Sequence, residues 1–119
     1  MAAETSQHPT VLQAKALLQS KKATDAASLL DQHLQTVPTD RDAWEMFAIA
    51  NFRAKKLAAA SDAFKQLTRM DPQYAGGWVN LGAIQNLLKE HQKATATLRK
   101  AIQKNKSSAA AYYLSLIHI

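Results

Sequence analysis

Small and apolar residues along the chain recur three and four positions apart, which is the spacing of one face of an α-helix. Pro9 suits the first turn of a helix, and Thr24 is a predicted N-cap of the next one. Pro38 and Pro72 end the second and fourth segments. The pattern predicts six helices in three pairs, with these facing positions: Val11, Ala14, Leu17, Leu18; Ala26, Ala27, Leu30, Leu34; Trp44, Phe47, Ala48; Ala60, Phe64, Leu67; Trp78, Leu81, Gly82; Ala94, Leu98, Ala101.

The helical pairs repeat at a fixed interval. Trp44 and Trp78 are separated by the same interval as Pro38 and Pro72, and Tyr112 lies one such interval beyond Trp78. Self-similarity at a fixed period of this size is typical of repeat proteins, in which each repeat is one supersecondary unit. The sequence therefore predicts three tandem helical pairs and the start of a fourth.

The composition agrees with an all-α chain. The chain has 119 residues, 47% of them hydrophobic, but only three glycines and three prolines, too few turn residues for a many-stranded β fold. It has no cysteine, which excludes disulfides, thiolate metal sites and a cysteine nucleophile. The polar N-terminal residues lack a secretion-signal pattern, and no apolar run reaches the roughly 18 residues of a membrane span. A cytoplasmic location is expected.

The repeat resembles the tetratricopeptide repeat family, whose pattern places Leu-Gly three residues after a Trp, followed by Ala, Phe, Ala and Pro at fixed offsets. Trp78, Leu81 and Gly82 match this pattern in the third pair. The resemblance implies an all-α, right-handed α-solenoid of stacked antiparallel helix pairs. The signature residues that it implies for the core are Ala14, Ala26, Leu30, Trp44, Phe47, Ala48, Ala60, Phe64, Pro72, Trp78, Leu81, Gly82, Ala94 and Leu98.

The period also predicts where the parts of the chain begin and end. Residues 114–119, LSLIHI, break the repeat pattern and look like the translation of a sequencing-library adapter, so a non-native tail is expected; a native apolar tail that packs as a cap is the alternative. The native protein is then expected to continue into the fourth repeat. The expected parts are a disordered leader at 1–7, a repeat domain at 8–113 with repeats at about 8–40, 41–74 and 75–108 and the start of a fourth at 109–113, and the tail.

The sequence shows no arrangement of residues that would support catalysis or bind a cofactor or metal. The four histidines share no i, i+4 pairing and have no cysteine partners; they are His8, His33, His91 and His118. The pair Gly76-Gly77 is too short for a phosphate-binding loop. We therefore expect no catalytic, cofactor-binding or metal site, and a protein that is not an enzyme.

The resemblance implies a binding groove on the concave face, lined by the first helix of each pair. Phe52 and Ile49 are the expected apolar anchors, and Arg53, Lys15 and Asn80 the expected polar contacts. The alternative for Phe52 is plain core packing, because aromatic residues at helical spacing often belong to the core. The full set of implied groove residues is Val11, Lys15, Leu18, Gln19, Glu45, Ile49, Phe52, Arg53, Val79, Asn80, Ala83 and Asn86.

One branch of the family binds the C-terminal carboxylate of chaperones with Lys and Asn side chains on successive first helices. Asn80 matches one of those positions, but Leu12 and Met46 occupy its equivalents in the earlier repeats. Asp42 would also repel a carboxylate. Chaperone docking of that kind is not expected.

Several lysines also recur at the interval of the repeat. Lys21-Lys22, Lys55-Lys56 and Lys89 fall at the same phase of successive repeats, and a basic edge is expected there. The last helix adds Lys93, Arg99, Lys100, Lys104 and Lys106. This edge either attracts an acidic protein or nucleic acid, or it is a row of solvated turns. The second interpretation is favoured, because no aromatic residues are interleaved to stack on bases.

The expected function is a protein–protein interaction module that holds a peptide or helix of a partner protein in its groove. Two alternatives remain. The chain is either the N-terminal repeat region of a larger enzyme, such as a bacterial sulfotransferase or glycosyltransferase, or a structural unit that self-associates through its exposed C-terminal end. Neither a nucleic-acid partner nor a membrane span is expected.

Overall fold

The computed structural model describes residues 7–105, and in this part of the chain all regular structure is helical. The helices are α1 (Pro9–Gln19), α2 (Ala23–Thr36), α3 (Arg41–Arg53), α4 (Leu57–Met70), α5 (Ala75–Leu87) and α6 (His91–Lys104). Each helix packs on its neighbours in the chain, and α1 also contacts α3. The predicted all-α solenoid of stacked helix pairs is confirmed. The expectations for the fourth repeat, Lys106, the tail and residues 1–6 lie outside the described residues.

Local sequence explains the starts of α1 and α3. Pro9 is the first residue of α1, and the Nδ1 atom of His8 accepts a hydrogen bond from the Thr10 N–H at 3.1 Å. Asp40 caps α3, because its carboxylate accepts a hydrogen bond from the Ala43 N–H at 3.2 Å. The predicted N-cap at Thr24 is wrong. The N-cap is Lys22, two residues earlier, and α2 begins at Ala23 directly after a tight turn.

The same turn joins the two helices of every repeat. In the first repeat, the Lys21 N–H donates to the Leu18 carbonyl at 3.0 Å and the Lys22 N–H donates to the Leu17 carbonyl at 2.8 Å. This pair of hydrogen bonds defines a Schellman motif, which needs one residue in the left-handed conformation, usually glycine. Here that residue is a lysine in each repeat, with φ of 61°, 64° and 66° at Lys21, Lys55 and Lys89.

Small residues let the paired helices approach closely. An ideal Cβ placed on Gly82 of α5 would lie 2.7 Å from the Cδ2 and Cγ atoms of Leu98 on α6, which is closer than real Cβ atoms come. Leu98 is itself fully buried. At the equivalent positions in the earlier repeats, Ala14 and Ala48 are also fully buried. Close approach of this kind is what allows side chains of adjacent helices to interdigitate.

Two tryptophan side chains form hydrogen bonds that connect the second and third repeats to the loops before them. The Trp44 indole N–H donates to the Pro38 carbonyl at 2.8 Å, and the Trp78 indole N–H donates to the Pro72 carbonyl at 2.9 Å. Both indoles are half-buried, whereas the Pro72 ring is exposed. Most other signature positions are buried, namely Ala14, Ala26, Leu30, Ala48, Ala60, Phe64, Leu81, Gly82, Ala94 and Leu98.

Candidate functional site

An open apolar pocket of about 120 Å³ lies between α3 and α5. Phe64 and Ile84 are only 2% exposed and form its floor, whereas Phe52 and Leu87 are 43% and 55% exposed and form its rim. The remaining lining residues are Ile49, Asn80 and Ala83. A cavity of about 150 Å³ lined by such residues is known to bind a benzene-sized apolar group. The pocket can therefore hold one aliphatic side chain.

Asn80 is the one polar residue among those that line this pocket. Its side chain is partly exposed and makes no hydrogen bond to other residues within 7–105. A carboxamide offers two donors and an acceptor. It can therefore pair with a backbone amide of a segment whose side chain enters the pocket.

A second, more polar hollow lies beside α1, towards the N-terminal end of the solenoid. It is lined by Leu18, Gln19, Lys21, Ala23 and Arg53. Arg53 follows Phe52 directly on α3, so the polar hollow and the apolar pocket share one helix end. Lys21 and Arg53 are both cationic, so this hollow favours a ligand carboxylate next to the apolar pocket.

A polar network fixes the start of α3 against the loop that precedes α5. The Arg41 guanidinium donates to Asp42 at 3.0 Å, to Glu45 at 2.6 Å and to Asp71 at 3.0 Å. The Tyr74 hydroxyl donates to the other oxygen of Glu45 at 2.8 Å. The guanidinium also lies 4.7 Å from the centroid of the Tyr74 ring. Glu45, expected as a groove contact, is therefore held by its own chain.

The network changes the ionisation of both of its hydrogen-bond donors. Burial lowers the pKa of Arg41, but the hydrogen bonds to Asp42, Asp71 and Glu45 outweigh burial, and the net shift of this pKa is upward. Burial raises the pKa of Tyr74, and the hydrogen bond to Glu45 raises it further. Because the neutral phenol is favoured in the folded state, its contribution to stability is present below pH about 10 and is lost as the pH rises through the raised pKa.

Replacing Tyr74 with phenylalanine is expected to remove the tyrosine that ionises above the usual range. The measurement is a spectrophotometric titration of tyrosinate absorbance in the folded protein. The chain has three tyrosines, so Tyr74 is isolated by subtracting the titration curve of the variant from that of wild type. The difference between wild type and Tyr74→Phe should titrate at a pH above about 10. In urea, which removes the network, the same difference should titrate at the ordinary value. An ordinary midpoint in the folded protein would contradict the network.

The structure brings seven of the expected groove residues to the two hollows. Ile49, Phe52, Asn80 and Ala83 line the apolar pocket, and Leu18, Gln19 and Arg53 line the polar hollow. We propose these seven positions as ligand contacts.

The other expected groove residues lie elsewhere. Val11 is fully buried and belongs to the core of the first repeat, so it is not available to a ligand. The Lys15 ammonium is exposed and donates to the Gln7 side chain at 2.9 Å. Val79 is half-buried outside both hollows. The Asn86 carboxamide oxygen lies 3.4 Å from Nδ1 of His91, and its buried nitrogen has no partner in the described part of the chain.

Sequence reasoning missed Leu87, the most exposed residue of the apolar pocket. The period contained the signal, because Leu87 lies one full repeat after Arg53 and Arg53 was an expected groove residue. It also missed the contact between the second and third helices, where His33 Nε2 lies 2.7 Å from an Asp40 oxygen. The centroids of the His8 and His33 rings lie 4.3 Å apart, with the ring planes tilted by 42°.

Residues 7–105 contain no cluster of metal ligands and no membrane-spanning helix. No group of three or more histidine and acidic side chains in this range is placed to hold a metal ion. No helix in the same range is long and apolar enough to cross a membrane.

A family model described as a tetratricopeptide repeat matches residues 11–75 and again residues 46–110. The two matches cover most of the chain and overlap by about one repeat. The chain belongs to the tetratricopeptide repeat (TPR) family. A comparison with curated protein sequences gives no significant match.

Solved TPR structures are similar over nearly the whole chain. A crystal structure of MamA is 23% identical with a TM-score of 0.87, and the match covers 92% of this chain and 64% of MamA. The Sgt2 TPR domain from Aspergillus fumigatus is 19% identical with a TM-score of 0.83, covering 95% of this chain and 79% of that domain. The first TPR of Spaghetti (RPAP3), bound to the HSP90 peptide SRMEEVD, is 16% identical with a TM-score of 0.85, covering 92% and 86%.

Proposed function

We propose that this chain is a protein interaction module that binds a segment of a partner protein across α3 and α5, with one aliphatic side chain of that segment in the apolar pocket. The observation that carries the proposal is the pocket itself, which has an apolar floor and two exposed rim residues, Phe52 and Leu87. Exposed apolar residues that surround a concave, preformed pocket are typical of binding sites.

The energetics favour this face as a binding site. Full burial of a large apolar side chain is worth about 1.5–3 kcal/mol. Phe52 and Leu87 both retain enough exposed surface for a ligand to cover. Aromatic residues near the centre of an interface often carry much of the binding energy. Asn80 adds orientation, because its carboxamide can pair with the backbone of the bound segment.

The comparisons support a peptide ligand. The residues of this chain favour a ligand of different chemistry from the peptide in one of the similar structures. The RPAP3 domain of similar fold was solved with an HSP90 peptide. In this chain, Leu12 and Met46 stand at the equivalents of Asn80, so the earlier repeats lack the asparagine that such a carboxylate contact uses. The proposed site therefore selects an apolar side chain rather than a terminal carboxylate.

The test begins with peptides selected from a random library on the folded protein. The affinity of the best peptide is then measured for wild type, for Phe52→Ala and for Leu12→Ala. Leu12 is a matched control, because it is an exposed apolar residue on a first helix but lies outside the pocket. We expect Phe52→Ala to weaken binding by about tenfold or more, as for a hot-spot residue. Equal affinities for wild type and Phe52→Ala would reject the proposed site.

A further inference from the structure

Three lysines occupy a backbone conformation that favours glycine. Lys21, Lys55 and Lys89 recur once in each repeat, with φ between 61° and 66°. None of the chain's three glycines has a positive φ. For a residue with a side chain, the left-handed conformation is strained. The sequence thus keeps a strained lysine in each repeat where glycine would be unstrained.

No carboxylate within residues 7–105 forms an ion pair with these lysines. We call Lys21, Lys22, Lys55, Lys56 and Lys89 the lysine row; all five side chains are exposed. The ion pairs among residues 7–105 join His33 to Asp40, Arg41 to three carboxylates, and Lys93 to Glu90. None of these ion pairs includes a residue of the row. The turn needs a left-handed residue but not a lysine, and a strained residue that recurs where glycine would serve is a reason to look for function.

The row lies beside the apolar pocket. The Phe52 carbonyl accepts a hydrogen bond from the Lys55 N–H at 3.0 Å, and Leu87 ends α5 two residues before Lys89. Lys21 shares the polar hollow with Arg53, which follows Phe52 on α3. A segment seated in the pocket would therefore extend past the row.

We propose that the lysine row binds acidic residues of the same partner segment whose apolar side chain enters the pocket. This inference rests on the proposed function. Helices α1 and α3 contact each other, and helices that pack directly lie about 8–10 Å apart, so the first two turns of the row lie on the order of 10 Å apart. An extended chain rises about 3.3 Å per residue, so carboxylates about three residues apart match this spacing. The partner is an acidic polypeptide with an apolar residue at its centre.

A polypeptide fits this edge better than a nucleic acid does. Proteins that bind single strands without sequence preference place successive aromatic rings along a basic groove. Among the described residues, Phe52 is the one exposed Phe, Tyr or Trp beside the row, and it already belongs to the pocket rim. Lysine ammonium groups act as separate point charges, which suits spaced carboxylates.

The experiment uses two labelled peptides of about twelve residues. Both have a central leucine, and one has glutamate at every third position where the other has glutamine. Binding is measured by fluorescence anisotropy at low and high salt. The proteins are wild type, the triple variant Lys21→Gly, Lys55→Gly, Lys89→Gly, and a control that loses three exposed or half-exposed cations elsewhere: Lys65→Gln, Arg99→Gln, Lys104→Gln.

For wild type we expect about tenfold tighter binding of the glutamate peptide at low salt, and a smaller difference at high salt. The glycine triple variant should lose this difference while its melting temperature rises, because the strain is relieved. The control should keep the difference. A second triple variant, Lys21→Asn, Lys55→Asn, Lys89→Asn, is added to the set. It should bind like the glycine variant, since asparagine tolerates the left-handed conformation.

Three results would overturn the inference. They are an unchanged preference for glutamate in the glycine and asparagine variants, an equal loss in the control, and tighter row-dependent binding of single-stranded DNA or of phosphatidylserine vesicles than of the glutamate peptide. Phe52→Ala separates this failure from that of the proposed function. When one of the three results above is found and Phe52→Ala still weakens both peptides, the pocket holds and only the row fails. If Phe52→Ala changes neither peptide, the proposed function fails.

Discussion

Replacing Leu98 with alanine is expected to lower the free energy of unfolding by about 3 kcal/mol, within the range of about 2–5 kcal/mol that buried leucines show. Leu98 is fully buried, and it packs so closely on Gly82 that a Cβ there would lie 2.7 Å away. Removal of its isobutyl group leaves a cavity at the contact between α5 and α6. The measurement is equilibrium unfolding in urea, followed by circular dichroism.

Leu12→Ala is the control for this substitution, because Leu12 is 52% exposed and its loss removes little buried surface. We expect it to cost less than about 1 kcal/mol. In a solenoid each repeat contacts only its neighbours, so amide exchange in Leu98→Ala should accelerate most in α5 and α6 and least in α1 and α2. A loss below about 1 kcal/mol for Leu98→Ala would contradict the packing described here.

Replacing Ala83 with leucine is expected to abolish most peptide binding while the fold stays intact. Ala83 lines the apolar pocket, and the equivalent position in the second repeat is Ile49, so a larger side chain can be accommodated on this face. The added isobutyl group would occupy the space that the ligand's aliphatic side chain needs. We expect affinity for a selected peptide to fall by more than about tenfold, which corresponds to about 1.4 kcal/mol.

The matched control is Ala96→Leu, which adds the same atoms to an exposed position on α6. Both alanines lie inside helices, where leucine has nearly the same propensity. Titration calorimetry and a urea melt on both variants separate pocket blocking from unfolding. Equal affinities for Ala83→Leu and wild type would show that the pocket does not hold the ligand.

The fold was predictable because the repeat imposes the same constraints three times. Trp44 and Trp78 share an interval with Pro38 and Pro72, so every helix could be placed by its phase. The prediction failed where one residue was considered alone. Thr24 has the chemistry of an N-cap, but the turn before it ends earlier, and α2 begins at Ala23.

The candidate site was predictable only in part. Helical phase predicts the direction in which a side chain points, but not how deeply that side chain is buried. Val11, Glu45 and Val79 share one phase of the repeat, yet Val11 is fully buried whereas Glu45 and Val79 are half-buried. The Arg41 network joins residues that are 30 positions apart, so its geometry depends on the distance between repeats. The left-handed lysines were expected only as charges, because a sequence does not display its backbone angles.

The central claim is that a partner segment binds across α3 and α5 with an apolar side chain in the pocket. Methyl and amide chemical shifts, recorded by NMR while a selected peptide is added, test it most directly. We expect the largest chemical-shift changes at four pocket residues, Ile49, Ala83, Ile84 and Leu87. Little change is expected at Ala58 and Ala96, which are exposed on the second helices of their repeats. Shifts concentrated at Ala58 and Ala96, with the pocket methyls unchanged, would contradict it.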